Sequence, residues 1–510
     1  MTLTEVVSTS AEVGATRSRL AKVDALAGVL RRAGSADEVE VVVAFLSGAP
    51  RQGRIGAGWR TLASLASSAA PGASLTVGEV DAALTATAQA SGKGSAAARA
   101  EALGGLFARA TAEEQAFLRA LLTGELRQGA LEGVMLDAIA RAADVPGPAV
   151  RRAFMLSGRL PATARAALDG GVEALAGFGL ELHRPVRPML ASPGSSLAEA
   201  VESLAPCLVE YKMDGARIQV HKTPDRVSVY TRTLRDITAS VPELVALVER
   251  LPCRTTVLDG ETLALRDDGK PRPFQETMSR FGSTQEEQIA ALLLRPYFFD
   301  CLHLDGRDLL DSPLRERNEA LRAAVGDHLI PGVVEPTQEQ AEELTAAALD
   351  AGHEGVMVKG LDSAYAAGRR GKSWQKVKPV HTFDLVVLAA EWGHGRRAGL
   401  LSNLHLGARD PDGGPPIMVG KTFKGLTNEL LAWQTEEFQR RESHRDDWVV
   451  HLKDQPVVEI ALDGVQSSPR YPGSIALRFA RVVRYRPDKT PAEADTIDAL
   501  KALRNSGGAL

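Results

Sequence analysis

The sequence predicts a multidomain protein: an all-α N-terminal domain, an α+β central domain and a C-terminal β-barrel. Three observations carry this. A chain of 510 residues is too long for one ordinary core. Apolar positions keep helical spacing to about residue 185; short β-branched runs alternating with helical patterns follow, and beyond Asp384 strands dominate. Two connections separate these regimes, the Pro/Ser/Gly-rich stretch 183–198 and the segment from Pro379 to Phe383. Domains are therefore expected over 1–190, 191–383 and 384–510.

In the first domain Leu20, Val23, Leu26 and Leu30, and then Val41, Val42, Phe45 and Leu46, repeat at i, i+3, i+4. Ser35-Ala36-Asp37-Glu38 reads as a helix start, and Thr111-Ala112-Glu113-Glu114 as a capping box ahead of an apolar run. Up to position 190 there are 20 basic and 18 acidic residues, and 18 of the basic ones are Arg, the side chain suited to bidentate contact with phosphate. Two loops stand out. Arg51 to Arg60 interleaves Arg51, Arg54 and Arg60 with glycines and Trp59. Thr123 to Ala130, with Arg127 and Gly129, joins two helices and offers backbone N–H groups at the second start. Each loop alone reads as a helix–helix turn with solvated arginines. A domain gripping a duplex backbone without reading sequence needs Gly-spaced Arg loops of this kind.

The central domain shows β-branched runs at 226–231, 255–263, 296–301 and 355–359, and helical patterns at 242–250, 284–294, 314–325 and 338–351. The last domain shows strands at Leu385–Ala389, Leu404–Gly407, Ile417–Gly420, Val457–Leu462 and Ala476–Val483, with one helix at about 427–441. Five strands with one inserted helix fit a small barrel of the oligonucleotide-binding type. The tail from Asn505 to Leu510 is expected to fray.

Hydrophobic content of 44% and charged content of 24% are those of a soluble globular protein. A net charge of −4 argues against a polybasic coat, so a nucleic-acid partner must be gripped by local patches. Cys207, Cys253 and Cys301 form no C-x-x-C pair and cannot build a four-cysteine zinc site; buried thiols in a reducing cytoplasm account for them. The N-terminus lacks a basic region followed by an apolar stretch, and no apolar run approaches the ~18 residues of a membrane span. The expectation is a cytoplasmic protein, nucleoid-associated if prokaryotic.

One stretch organises the chemistry. Cys207-Leu208-Val209 reads as a buried strand running into Glu210-Tyr211-Lys212, and Asp214-Gly215 as a tight turn before Ala216 to Val220 resumes as strand. Lys212 thus sits at a strand end, with Glu210 and Asp214 two residues away and Arg217 beyond. A shielded lysine held by neighbours can act as a nucleophile, whereas an exposed ammonium has no lone pair to use. Five stretches follow in order: Tyr230-Thr231-Arg232-Thr233, Val257 to Glu261, Tyr297 to Asp300, Glu354 to Lys359 and Trp374 to Lys378. Lys376 and Lys378 fall on one strand face, because strand side chains alternate. Together these residues suit attack on a nucleoside triphosphate. Lys212 supplies the amine, Lys376 and Lys378 take up charge on the α-phosphate, Glu261 and Glu354 hold Mg²⁺, and Phe299 offers a flat surface to the base. Singly, Phe299 reads as core, the acids as turn residues and the lysines as a solvated face; order and spacing together carry the reading.

The chain closely resembles the ATP-dependent DNA ligases of the covalent nucleotidyltransferase superfamily. The lysine motif stands as Lys212-Met213-Asp214-Gly215, and the later motifs are the five stretches above. The final motif stands as Ser474-Ile475-Ala476-Leu477-Arg478-Phe479-Ala480-Arg481 with Arg486-Pro487-Asp488-Lys489. The helical part resembles the family's DNA-binding domain through Gly58 to Leu62 and Glu125 to Gly129. The C-terminal part resembles its OB-fold through Lys421 to Leu426. The resemblance implies that Lys212 takes AMP from ATP as a phosphoramidate, passes it to the 5′-phosphate of a nick, and that the 3′-hydroxyl then displaces it. It further implies Glu210 at the adenine edge and Phe299 on its face. Arg217 and Arg232 would serve the nucleotide or the 5′-phosphate, Glu261 the ribose or metal, and Glu354 the metal. Arg370, Lys376 and Lys378 would contact phosphates, and Arg478 the departing pyrophosphate. A monomer acting on nicked duplex DNA, with ATP and Mg²⁺ and no membrane, is expected. Ala480 stands where the family often has Pro, and the arginine motif reads Thr-Arg-Thr; neither change touches a charge.

Two relatives compete. RNA ligases and capping enzymes generally resemble only the two later domains, and the helical front domain argues against them. NAD-dependent ligases carry a four-cysteine zinc element that three cysteines cannot supply. A non-catalytic nick-binding protein is disfavoured by the intact lysines and acids. Gly371-Lys372-Ser373 mimics the end of a P-loop, but the spacing requires Gly where Ala366 stands.

Overall fold

Helices and strands fall largely where the residue pattern puts them in a computed structural model of the chain. It describes residues 1–506 except 54, 57, 59, 60, 63, 64, 66, 67, 93, 127, 129–131, 273, 282–291 and 367–369, and gives backbone only at 274, 275, 279, 370, 371, 396 and 504–506. Two compact units result, Met1–Leu190 with Tyr365–Gly371, and Ala191–Ala364 with Lys372–Leu510.

The first unit is helical, with nine helices among the described residues from Leu3–Ala15 to Leu160–Ala176. Side-chain caps fix several of their starts. The Ser35 hydroxyl accepts from the Glu38 N–H at the head of Ala36–Leu46. Thr111 and Glu114 form a reciprocal capping box at the head of Ala112–Thr123. The core includes Val23, Leu26, Leu30, Val42, Phe45, Leu46, Phe107 and Phe154. Leu20 departs from the expected stripe and is 69% exposed. It lies in the first turn of Arg19–Arg32, where Lys22 is buried instead and donates from Nζ to the Gln128 carbonyl at 2.6 Å.

The Arg51 loop carries a second correction. Arg51 is engaged within the unit, with Nε donating to Asp81 Oδ1 at 2.9 Å and Nη1 to Asp37 Oδ1 at 2.8 Å. It ties the loop to two helices and is not held out for phosphate. Gln128 likewise turns inward, accepting from Ser10 and donating to the Leu46 carbonyl. Arg54, Trp59, Arg60, Arg127 and Gly129, on which the phosphate-binding reading also drew, lie outside the described residues.

In the second unit one five-stranded sheet has the order Leu190–Pro193, Arg370–Val377, Gly355–Gly360, Cys207–Lys212, Gly332–Val334. Another has the order Arg226–Thr231, Ala216–Thr223, Thr256–Ala264, Leu294–Leu304, Arg307–Asp308. Helices Pro242–Glu249, Leu314–Val325 and Gln338–Asp350 stand where expected. The helix expected at 284–294 falls mostly outside the described residues, and Leu294 already begins a strand.

Asp214-Gly215 does not close a hairpin. The strands on either side of it belong to different sheets: Cys207–Lys212 pairs with Gly355–Gly360, and Ala216–Thr223 pairs with Thr256–Ala264. The turn carries the chain from one sheet to the other. Gly215 is required there by crowding, because an added Cβ would stand 2.5 Å from the Thr262 carbonyl oxygen and closer still to Leu263.

Beyond Lys378, the long strand His381–Trp392 is shared. Its first half pairs with Val457–Leu462, and its second with Leu401–Ala408 and Val449–Leu452. Register shifts after Val387 and Glu391 accompany this change of partners. Helix Asn428–Arg440 buries Leu431 and Phe438 against the sheet. Three strands here were not expected: Glu442–Arg445, Val449–Leu452 and Gly464–Ser467. The run expected as one strand over Ala476–Val483 is two, Ile475–Arg478 and Arg481–Tyr485, broken where Phe479 takes φ +54°. The C-terminal residues to Ser506 form helix Ile497–Ser506, and 507–510 lie outside the described residues.

Gly215→Ala is expected to lower stability by about 1–3 kcal/mol through overpacking. Gly360→Ala on a neighbouring strand, where the nearest atom would be 3.7 Å away, should cost clearly less. Paired chemical denaturation curves measure the difference, and equal losses contradict the assigned crowding.

Candidate active site

Strand alternation and register assemble the site. Lys212 lies opposite Gly355, Glu210 opposite Met357, and Leu208 opposite Lys359. Across the next pairing Met357 lies opposite Lys376, and Lys359 opposite Trp374. Side chains two apart share a face, so Glu210, Lys212, Lys359, Trp374 and Lys376 are assigned one face of this sheet. Close packing requires Gly355, whose φ is +134° and whose added Cβ would strike the Val377 carbonyl oxygen. The second sheet contributes another row, with Arg217 opposite Glu261 and Glu261 opposite Tyr297.

At the strand end, Lys212 Nζ is ion-paired with Glu354 Oε2, and Lys378 Nζ meets the same oxygen at 2.7 Å. Lys378 also reaches Asp463 Oδ2 at 3.4 Å. One carboxylate is thus shared by two ammonium groups. Burial works to raise the Glu354 carboxyl, but the two lysines outweigh it and hold the pKa at about 2. Asp214 lies across from Glu354 with the opposite result. Burial and then the Glu354 charge push its carboxyl up to about 6, against the opposing pull of Arg478 and Lys212. Asp214 Oδ2 is buried with no hydrogen-bond partner among the described residues, and Arg478 Nη1 lies 3.9 Å from it. Glu261 is pushed up to about 8, chiefly by burial, with Lys212 and Arg217 pulling it down.

Beside this cluster is an aromatic and ionic pocket wall. Phe299 and Trp374 meet edge to face with centroids 6.0 Å apart. Lys359 Nζ lies 4.5 Å from the Phe299 ring centre and 4.2 Å from that of Trp374, and donates to the Phe299 carbonyl at 3.2 Å. The same ammonium pairs with Glu210 Oε1, both side chains being almost fully buried. Burial pushes the Glu210 carboxyl up to about 7 despite Lys359, and its Oε2 has no hydrogen-bond partner among the described residues. Arg217 donates from Nε and Nη2 to Asp259 at 3.0 and 2.6 Å, and its guanidinium lies 5.3 Å from the Phe299 ring.

Of the residues singled out from sequence, Lys212, Glu354, Lys378, Glu261, Arg217 and Arg478 converge on the strand-end cluster, while Glu210 and Phe299 line the wall beside it. Lys376 shares the sheet face of Glu210 and Lys212; Lys378 lies just past the end of its strand. Arg232 is exposed just beyond Thr231, the end of its strand. Arg370 is described by its backbone alone. Sequence reasoning gave no role to Lys359, Trp374, Asp214 or Asp259. The signal was present for Trp374, since alternation from Lys376 and Lys378 sets it on the site's face; Lys359 lies five residues from Glu354, so alternation from that acid does not find it. Nothing in the sequence said that Glu210 would need a buried counter-ion.

The arrangement offers a shielded lysine, cations around it, and crowded hard-oxygen carboxylates. That donor set fits Mg²⁺, which takes few carboxylates together with phosphate oxygens, and the unpartnered Asp214 oxygen fits an oxygen-coordinated cation nearby. Glu261 yields a pH prediction. A carboxyl raised from its ordinary 4.5 to about 8 contributes stability that is complete below about pH 4.5 and is lost as pH rises through about 8. Without nucleotide or metal, wild-type stability should therefore fall from pH 5 to pH 9 relative to Glu261→Gln. Denaturation midpoints that stay parallel over this range contradict the buried, raised carboxyl.

Comparison with known proteins gives the lineage. Family models for the "DNA ligase N terminus", the "ATP dependent DNA ligase domain" and the "ATP dependent DNA ligase C terminal region" match residues 60–140, 188–378 and 397–489. A "Probable DNA ligase" of Saccharopolyspora erythraea is 68% identical over 502 residues, 98% of each chain. Another of Rhodococcus opacus is 66% identical over 504 residues, 99% of each. The solved structure "Pmar-Lig_PreS3" is 17% identical and covers 94% of this chain and 99% of its own, with a TM-score of 0.58, a likeness of fold. The chain belongs to the ATP-dependent DNA ligases.

Proposed function

We propose that this chain seals nicks between 5′-phosphate and 3′-hydroxyl ends in duplex DNA, with ATP and Mg²⁺, carrying AMP on Lys212. The observation that supports it most is the strand-end cluster, where a half-buried lysine shares one carboxylate with Lys378 while Asp214, Glu261 and Arg478 close around it.

The work is divided by position. Lys212 Nζ, once neutral, uses its lone pair on the α-phosphorus of ATP, forming a P–N bond as pyrophosphate leaves. Lys376 and Lys378 stand on the α-phosphate side, and Arg478 draws off the charge of the leaving pyrophosphate. Arg370 joins the phosphate contacts, and Arg232, at the exposed margin, meets the 5′-phosphate of the nick. Glu354 and Glu261 would hold Mg²⁺, which would supply charge neutralisation at the phosphate oxygens. The base lies against Phe299. Its exocyclic amino group donates to the unpartnered Oε2 of Glu210, a bond whose absence from a buried acceptor costs about 1–3 kcal/mol. Lys359 holds Glu210 in place through Oε1. AMP then moves to the 5′-phosphate, and the 3′-hydroxyl displaces it.

The domains in this reading are 1–190 on the duplex backbone, 191–383 for nucleotidyl transfer, and 384–510 as an OB-fold barrel. The shared, bulged strand His381–Trp392 favours the barrel, since a strand that changes partners along its length lets a sheet curl. Action as a monomer in the cytoplasm or on the nucleoid completes the proposal; no described helix is long and apolar enough to cross a membrane.

Sealing of a nicked duplex with ATP and Mg²⁺ tests it. The wild-type chain should join the ends, and Lys212→Ala should lose at least about 10³-fold in rate, the scale for losing a nucleophile, while still binding the nick. Sealing that persists in Lys212→Ala overturns the assignment.

A further inference from the structure

We infer that His444, Asp446 and His451 form a binding site for a borderline divalent transition cation of the Zn²⁺ type. The site sits on the surface hairpin Glu442–Arg445 and Val449–Leu452 and is separate from the cluster at Lys212. Register builds it: His444 and His451 are directly paired across the hairpin, so their side chains leave the same face. The turn is held by the Asp446 N–H donating to the Val449 carbonyl at 3.0 Å, which brings the Asp446 carboxylate back over that face. One ligand atom from each of the three residues lies within 4.8 Å of the others.

The internal contacts favour a metal over a simple polar cluster. The imidazoles stack with centroids 4.2 Å apart and planes 8° apart. The stack sets the two rings side by side, where one cation can reach a nitrogen of each. His451 Nε2 already meets Asp446 Oδ2 at 2.8 Å. His444 Nδ1 contacts Ser443 Oγ at 3.1 Å, which leaves its Nε2 for a ligand and gives the ring an orienting outer partner. A cation takes the place of the hydrogen shared by His451 and Asp446 and draws in His444. With Zn–N bonds of about 2.0–2.1 Å in a tetrahedron, ligand atoms stand roughly 3.4 Å apart. His444 and Asp446 are exposed and His451 half-buried, so side-chain rotation closes the remaining gap. Two nitrogens and one carboxylate select this cation class over Mg²⁺, which prefers oxygen throughout. Three protein ligands leave a position for water. His451 lies opposite Ala389 of the long strand, so the hairpin that carries all three ligands is anchored in the sheet.

The test uses the full chain, freed of metal with a chelator and titrated with Co²⁺ without nucleotide. A saturable visible band from one Co²⁺ per chain, bleached by Zn²⁺, is expected. The double variant His444→Ala/His451→Ala should bind at least tenfold more weakly, and Asp446→Asn severalfold more weakly. Gain of AMP mass with ATP and Mg²⁺ should be unchanged in Asp446→Asn, which shows a folded chain and keeps this test apart from that of the ligase reading. No saturable band in the wild type, or equal affinity across the wild type and both variants, overturns the site.

Discussion

The carboxylate of Glu354, held between two lysine ammonium groups, is the interaction on which the site depends. It fixes the end of the Lys212 strand against the end of the Arg370–Val377 strand, through the one intervening strand that starts at Gly355. Its negative charge compensates two cations that would otherwise repel at close quarters, and those cations keep it ionised despite burial. Asp214 and Glu261, lacking such close partners, are pushed the other way. Three acids in one place thus titrate over different ranges, at about 2 for Glu354, about 6 for Asp214 and about 8 for Glu261.

The buried Glu210–Lys359 pair does a different job. A pair this deep gives little net stability, because desolvating both charges offsets their attraction. Its value is positional: Lys359 is fixed by two aromatic rings and a carbonyl, and Glu210 is fixed by Lys359. One buried acceptor oxygen, Oε2 of Glu210, is left without a partner among the described residues. A wall with such an oxygen discriminates by hydrogen bonding, since a base without the matching donor leaves the oxygen unpaired.

Much of this was legible in the sequence where local rules suffice. Caps at Ser35 and Thr111 are decided by neighbours in the chain and stand as read, as do most of the apolar stripes and short β-branched runs. The strand carrying Lys212 was legible, but its partner was not. Asp214-Gly215 has the chemistry of a hairpin turn, and only the crowding by Thr262 and Leu263 shows why the chain crosses between sheets there. Leu20 fits the stripe by spacing, yet burial went to Lys22, whose ammonium found the Gln128 carbonyl. Arg51 looked like a phosphate contact by composition, but Asp37 and Asp81 claim it from distant positions. The hairpin around His444 and His451 was missed because its strands are only four residues long, and the break at Phe479 because a positive φ at a non-glycine residue has no signature in a β-rich run.

The central claim, that these register-aligned strands present Lys212 as the amine that carries the nucleotide, is tested most directly by locating the modification. The chain is incubated with ATP and Mg²⁺ and cleaved into peptides, and AMP is mapped by mass spectrometry. The account predicts AMP on the peptide containing Lys212 through an acid-labile P–N bond. AMP found on Lys359, Lys376 or Lys378 instead, or no AMP on any peptide of a folded chain, contradicts it.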